Sequence, residues 1–174
     1  MIKYTRLAQE KDIDAIIKII DEAKQFLKEA GSPQWQSGYP NIDTITEDIK
    51  KGNGYVFVVG EQVAAYAAIV IGDDPNYQEI DGAWKNTKDK YATVHRICIS
   101  SAFQGQGLAK IFYSNIISLM VMKGIHNFRV DTYKLNRPMQ KLALDNGYEH
   151  RGIIRIIDDP LDPDRLAYEL NLNI

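Results

Sequence analysis

The segment from Val94 to Lys110 constrains this chain more than any other. The residues Ala92 to Ile99 read as a strand, and Ser100 to Gly107 as a turn with glycines at 105 and 107. Leu108, Ile111, Phe112, Ile116 and Leu119 then mark one face of a helix that ends near Gly124. A strand that passes through glycine into a helix leaves unpaired backbone N–H groups at the helix start. The helix dipole adds positive potential there. Glycine lets that backbone approach a ligand closely. Together these predict a phosphate or pyrophosphate site. An ordinary tight turn has the same local pattern, so the rest of the chain must discriminate.

Ile2 to Leu7 alternates and reads as a strand. Ile13, Ile16, Ile17 and Ile20 recur at helical spacing, Phe26-Leu27 extends the pattern, and Gly31-Ser32-Pro33 stops it. Trp35 to Asn41 reads as an aromatic loop. Asp43 to Lys51 reads as a short helix with Asp43 or Thr44 as its cap. Tyr55 to Val59 and Val63 to Ile71 form a hairpin around Gly60-Glu61-Gln62. Asp73 to Lys90 is polar and irregular, with a short extended piece expected around Tyr77 to Ile80. Phe128 to Tyr133 is a strand, and Asn136 to Asn146 a helix with Pro138 in its first turn. Tyr148 to Ile157 and Leu166 to Leu172 are the last strands. Antiparallel hairpins therefore precede a strand-helix-strand crossover. The expected class is a mixed α/β (α+β) sheet with helices on both faces.

No repeat or linker interrupts the 174 residues, so a single domain over 1–174 is expected. The formal net charge of -2 gives no bulk pull toward nucleic acid, and no nucleic-acid partner is expected. Cys98 is the only cysteine, which excludes an internal disulfide and a cysteine-rich metal cluster. No metal is expected. Met1 to Ala8 has no apolar leader core, and no run is long enough to cross a bilayer. A cytoplasmic location away from membranes is the expectation.

Among phosphate-binding patterns, the Walker spacing G-x-x-x-x-G-K-[ST] is absent. A dinucleotide turn would need a third glycine where Lys110 stands, although Asp131 imitates its ribose-binding acid. That unit would also sit unusually late, behind antiparallel hairpins. The residues Gln104, Gly107 and Ala109 instead resemble the acetyl-CoA motif [Q/R]-x-x-G-x-[G/A] of the GNAT superfamily. The preceding Ile97-Cys98-Ile99 resembles the family's hydrophobic-x-hydrophobic strand. Asn136 opening a helix that closes at Asn146-Gly147-Tyr148 resembles the second half of its signature, and Arg165 to Leu170 its usual last strand. The resemblance covers essentially the whole chain.

The resemblance implies a GNAT-type fold, with a mostly antiparallel central sheet whose middle strands splay after a bulge. It implies an N-acetyltransferase using acetyl-CoA, or coenzyme A as its product. Ile97, Cys98 and Ile99 would offer backbone groups to the pantetheine arm. Gln104, Gly105, Gln106, Gly107, Leu108 and Ala109 would hold the pyrophosphate. Asn136 would contact the arm, or cap its helix, and one side chain can serve both. Many members carry an acidic tyrosine seven residues after that asparagine, where this chain has Ala143. Either solvent or another residue then protonates the departing thiolate, and Tyr133 is the substitute candidate, with packing or substrate lining as its alternative. His95 is the candidate base, with a packed core histidine as its alternative. On strict alternation it shares a face with Ile97 and Ile99. Cys98 reads as a buried small residue, not a nucleophile. For the acceptor, Trp35, Tyr39, Glu79, Asp81 and Trp84 mix aromatics with carboxylates, which suits a small cationic amine. Trp35 and Trp84 can equally cover core. A homodimer is common in the family. A catalytically silent acyl-CoA sensor on the same fold is the alternative function, its support being Ala143.

Overall fold

The structure, a computed structural model, describes residues 1–159 and 162–174. Its elements run β1 (Lys3–Leu7), α1 (Ile13–Glu29), α2 (Ile42–Lys50), β2 (Gly54–Val59), β3 (Gln62–Ile71), β4 (Asp81–Gly82), β5 (Tyr91–Ile99), α3 (Leu108–Val121), β6 (Asn127–Thr132), α4 (Arg137–Asp145), β7 (Glu149–Arg155) and β8 (Asp164–Asn171). The strands order as β1-β2-β3-β5-β6-β8-β7-β4. β5 and β6 are parallel, as a crossover through α3 requires. The pairs β1–β2, β2–β3, β6–β8, β7–β8 and β4–β7 are antiparallel. The expected mixed, mostly antiparallel sheet is thus present.

The described residues group into two compact units. The first holds 1–69 and 95–116, and the second 70–94 and 117–174.

In the first unit, α1 buries Ile16, Ile19 and Ile20 against Val56, Val58, Tyr66 and Ala68. Isoleucine is a middling helix former, so this burial, at about 1.5–3 kcal/mol for each side chain, stabilises α1 more than propensity does. The helix ends where Gly31 takes φ 73: Gly31 N–H donates to Lys28 O and Ser32 N–H to Leu27 O. These two hydrogen bonds satisfy carbonyls the helix would otherwise leave open. α2 begins one residue before the expected start. Its cap is Asn41, not Asp43 or Thr44, because the Asn41 side chain accepts from Thr44 N–H at 3.1 Å.

In the second unit, Phe128, Val130, Ile154 and Ala167 are buried along the strands. The polar stretch after β3 is more ordered than its composition suggests. The extended piece expected at Tyr77 to Ile80 lies at Asp81–Gly82 instead, and Pro75–Tyr77 is a 3-10 turn capped by Asp74. β4 forms where Gly82 faces Gly152. Their φ values are 138 and 148, and a Cβ on either would strike the opposite strand's backbone. The crossing therefore needs glycine on both sides.

Before α1, the Arg6 guanidinium donates to both oxygens of Asp12, at 2.6 and 2.9 Å, and Gln9 N–H adds a bond of 2.8 Å. These bonds, Arg6 first and against burial, hold the Asp12 carboxyl below the usual carboxylate range. Its stabilisation is complete above the unfolded-state value of about 4 and is lost as pH falls through the lower folded value. Asp12→Asn is therefore expected to lower the melting temperature at pH 7. The difference from wild type should shrink on acidification toward pH 2–3, as followed by thermal denaturation.

Candidate active site

β5 is the strand on which the first unit's site is built. It pairs with β6 only over Tyr91, Ala92 and Thr93, and then continues unpaired from β6 to Ile99. Arg96 adopts φ 55, a left-handed conformation that costs free energy for a non-glycine residue. This interrupts the two-residue period, so the alternation argument that put His95 on one face with Ile97 and Ile99 does not carry across residue 96. The structure places His95, Ile97 and Ile99 half-buried and Cys98 inside the core.

The Arg96 guanidinium grips Asp48 through both oxygens, with Nε at 2.9 Å and Nη2 at 2.6 Å. Its Nη1 donates to the Tyr39 hydroxyl at 2.6 Å. Tyr66 donates its hydroxyl to Asp48 Oδ2 at 2.7 Å. The Arg96 and Asp48 side chains are only 11% and 8% exposed. Burial opposes the guanidinium's charge, but the Tyr39 and Asp48 oxygens outweigh it and raise its pKa. Burial, then the Asp48 charge, pushes the Tyr66 phenol well up, so it stays a donor. Removing one partner of such a buried pair typically costs about 3–5 kcal/mol. The sequence reading found Tyr39 but missed Asp48, Tyr66 and Arg96. A signal existed: Asp48 lies between Ile45 and Ile49 on the apolar face of α2, where a carboxylate needs a cation.

After β5, Ser100 N–H bonds Ala64 O, and Ser101 N–H donates to the Glu22 carboxylate of α1 at 2.7 Å. Burial would raise the Glu22 pKa, but the bonds from Ser101 and Ser100 hold it below its usual value. Gln104 to Gly107 then lies exposed, with Gly105 at φ 75 and Gly107 at φ 70. A Cβ at either would meet nothing within 4 Å, so the backbone faces open space. Leu108 is buried and seats the first turn of α3, while Ala109 is half-buried. The first-turn N–H groups of α3 lack helical acceptors, and both glycines hold a conformation that opens the backbone. The loop can accept an anion.

Cys98 packs with Ile16, Ile20 and Tyr66, its sulfur 3.9 Å from Tyr66 O. Burial pushes its thiol up to about 12, which suppresses the nucleophilic thiolate. Trp35 packs half-buried against the same core, whereas Tyr39 is 43% exposed.

The second unit carries the remaining predicted residues. Asn136 caps α4, accepting from Met139 N–H at 3.2 Å, as its helix-capping reading required. Ala143 is buried. Tyr133 is buried beside Arg165, and its hydrogen bond to Asp162, with burial, raises its hydroxyl above the ordinary phenol range. Trp84 donates Nε1–H to Tyr77 O and lies against the Arg129 guanidinium, 4.1 Å from its centroid, with Tyr91 at 3.9 Å. Arg129 and Arg151 flank the fully buried Glu169 carboxylate, which also accepts from Lys85 N–H at 2.7 Å. Trp84 is thus part of a packed ionic layer. Glu79 and Asp81 are exposed. The predicted acceptor set therefore divides, Trp35 and Tyr39 in one unit, Glu79, Asp81 and Trp84 in the other. A cavity of about 770 Å³ lined by Lys90, Lys123, His126, Asn127 and Asn171 contains none of the predicted site residues. Among the described residues, no group of three or more His, Cys, Asp or Glu is arranged to hold a metal ion.

A strand interrupted at Arg96, followed by a glycine turn and a helix, forms a site that can accept an anion such as a pyrophosphate. The acetyltransferase (GNAT) family model matches residues 18–148, and the chain belongs to that family. It is 30% identical over 108 residues to the uncharacterized N-acetyltransferase YesJ of Bacillus subtilis (strain 168), a match covering 60% of this chain and 58% of YesJ. The fold is similar to a GNAT-family acetyltransferase of Streptococcus agalactiae 2603, with a TM-score of 0.88, 36% identity, and 99% and 96% of the two chains covered. It is also similar to the Salmonella typhimurium protein yncA, solved with its cofactor acetyl-CoA. There the TM-score is 0.69 and the identity 16%, over 98% of this chain and 94% of that one, a likeness of fold.

The sealed environment of Cys98 has a direct chemical consequence. In the folded protein at pH 8, iodoacetamide is expected to leave Cys98 unmodified for hours, and to modify it rapidly in denaturant. Intact-mass spectrometry reads the difference. Labelling of the folded protein at the rate of a free thiol would contradict this placement.

Proposed function

We propose that this chain is an acetyl-CoA-dependent N-acetyltransferase, passing the acetyl group directly to the primary amine of a small molecule. The observation that carries this reading is the Gln104–Ala109 loop, where Gly105 and Gly107 hold left-handed backbone open to solvent at the start of α3. The residues present fit the cofactor. Backbone N–H groups of 105–109 would take the pyrophosphate, and the edge of β5 at Ile97 to Ile99 would pair with the pantetheine arm. Asn136, by family resemblance, would also meet that arm.

When bound, acetyl-CoA supplies a thioester carbonyl open to attack. The amine nitrogen forms the new C–N bond as the C–S bond breaks. A backbone N–H near Cys98 or Ile99 stabilises the charge that grows on the carbonyl oxygen. His95 takes the proton that the amine sheds. Solvent or Tyr133 would supply the proton that the departing thiolate needs. Asp162 engages the Tyr133 hydroxyl, which favours solvent. Cys98 takes no part, since burial holds its thiol protonated.

Trp35, Tyr39, Glu79, Asp81 and Trp84 remain the residues proposed to meet a cationic amine, Tyr39 and Trp84 each already facing a guanidinium, of Arg96 and Arg129. No helix among the described residues is long and apolar enough to cross a membrane. A cytoplasmic enzyme, a single domain over 1–174 and a homodimer complete the proposal. The chain passes between its two units three times, at 69/70, 94/95 and 116/117, which supports the one-domain reading. Ala143 at the usual tyrosine position favours the second reading, a silent acyl-CoA sensor. Turnover of acetyl-CoA with a panel of amines separates the two.

Gly107→Val puts a β-branched side chain at φ 70 in the pyrophosphate loop. Coenzyme A affinity by calorimetry is expected to fall by tenfold or more, as an order of magnitude, while the protein still folds. Unchanged affinity in the folded variant refutes the phosphate site.

His95→Gln keeps polarity and much of the volume but removes the base. It is expected to lower kcat roughly 10²-fold with little effect on coenzyme A affinity. Wild-type kcat in this variant would return His95 to a packing role and direct the search to Glu79 or Asp81.

A further inference from the structure

β5 leaves β6 after Thr93, so β6 pairing does not guide the strand edge at Ile97 to Ile99. Its course is set by its neighbour β3 on the other side and by the conformation of residue 96. Arginine has no intrinsic preference for φ 55, and such a conformation persists only where the surroundings over-determine it. Three bonds do so. Two run from the planar fork of Arg96 to both oxygens of Asp48, a geometry that allows one orientation of the guanidinium. The third runs to Tyr39. Asp48 is itself fixed, buried on α2 and bonded by Tyr66. With the Arg96 side chain anchored to α2, the next residues take their phase from it: Cys98 enters the core, and Ile97 and Ile99 lie half-buried.

We propose that Asp48, acting through Arg96, is a positioning residue for the acetyl-CoA-binding edge of β5. It holds the left-handed conformation of residue 96 that presents the backbone of Ile97 to Ile99. The pair is 48 residues apart in sequence and belongs to no cofactor motif. The inference rests on the proposed function and adds to it a residue that touches neither substrate.

The experiment measures coenzyme A binding by calorimetry and steady-state KM and kcat for wild type, Asp48→Asn, Arg96→Gly, Tyr66→Phe, and Asp48→Asn combined with Arg96→Gly. Gly107→Val is the loop control. Each variant is checked for a cooperative melt. Asp48→Asn is expected to weaken coenzyme A binding by about ten- to hundredfold, the scale of a misplacement near 1 Å. Tyr66→Phe, which loosens Asp48 but keeps both charges, covers the case in which Asp48→Asn does not fold, and should weaken binding by a smaller factor. Glycine at 96 tolerates the positive φ without a partner, so the double variant should bind better than Asp48→Asn alone. A merely structural pair would lower the melting temperature and leave the binding constant of the folded protein unchanged. Wild-type affinity in folded Asp48→Asn or in Tyr66→Phe, with affinity lost in Gly107→Val, overturns this proposal and leaves the proposed function standing. A wild-type protein that does not bind coenzyme A overturns the proposed function itself.

Discussion

The first unit depends on one buried ion pair. Asp48 and Arg96 lie where an isolated charge would be expensive, and neither is tolerable without the other. Their contact ties α2 to β5, fixes the conformation of residue 96, and brings Tyr39 to the same guanidinium. A pair of apolar residues could fill the volume as well or better. It could not impose a directional, two-pronged constraint on a strand that must depart from its period at a defined residue. The free-energy cost of burial is matched by a gain in geometry.

The second unit repeats the principle with different parts. Glu169 is sealed beneath Arg129 and Arg151, and Trp84 and Tyr91 lie against Arg129. The aromatic faces interact with the cation where water cannot. Lys85 and Asn86 N–H groups also reach Glu169, which fastens the polar stretch after β3 to β8. A segment whose composition reads as loose loop is thus held by a carboxylate far along the chain.

The parts of the chain that were legible in the sequence are those whose determinants are local. The glycines at 105 and 107, the isoleucine spacing of α1 and the Asn136–Pro138 start of α4 each act within a few residues of where they stand. They were enough to anticipate the turn, the helices and the family. What escaped was set at long range. No local rule gives an arginine φ 55, because the partner that holds it lies on α2. β4 escaped because its pairing depends on Gly152, some seventy residues on. The cap of α2 was displaced by the reach of the Asn41 side chain. Trp84 was legible as an aromatic, but the cation it stacks on was not.

The facing glycines of β4 and β7 separate two demands on one loop. At that crossing the backbones approach too closely for any side chain, so the attachment at Gly82 and Gly152 is purely main-chain. Glu79 and Asp81 beside it are exposed and contribute no side-chain volume to the join. Their charge and shape can change without loosening the anchorage. The join is thus carried by main-chain atoms, those of Asp81 among them, while the exposed side chains of Glu79 and Asp81 stand outside it.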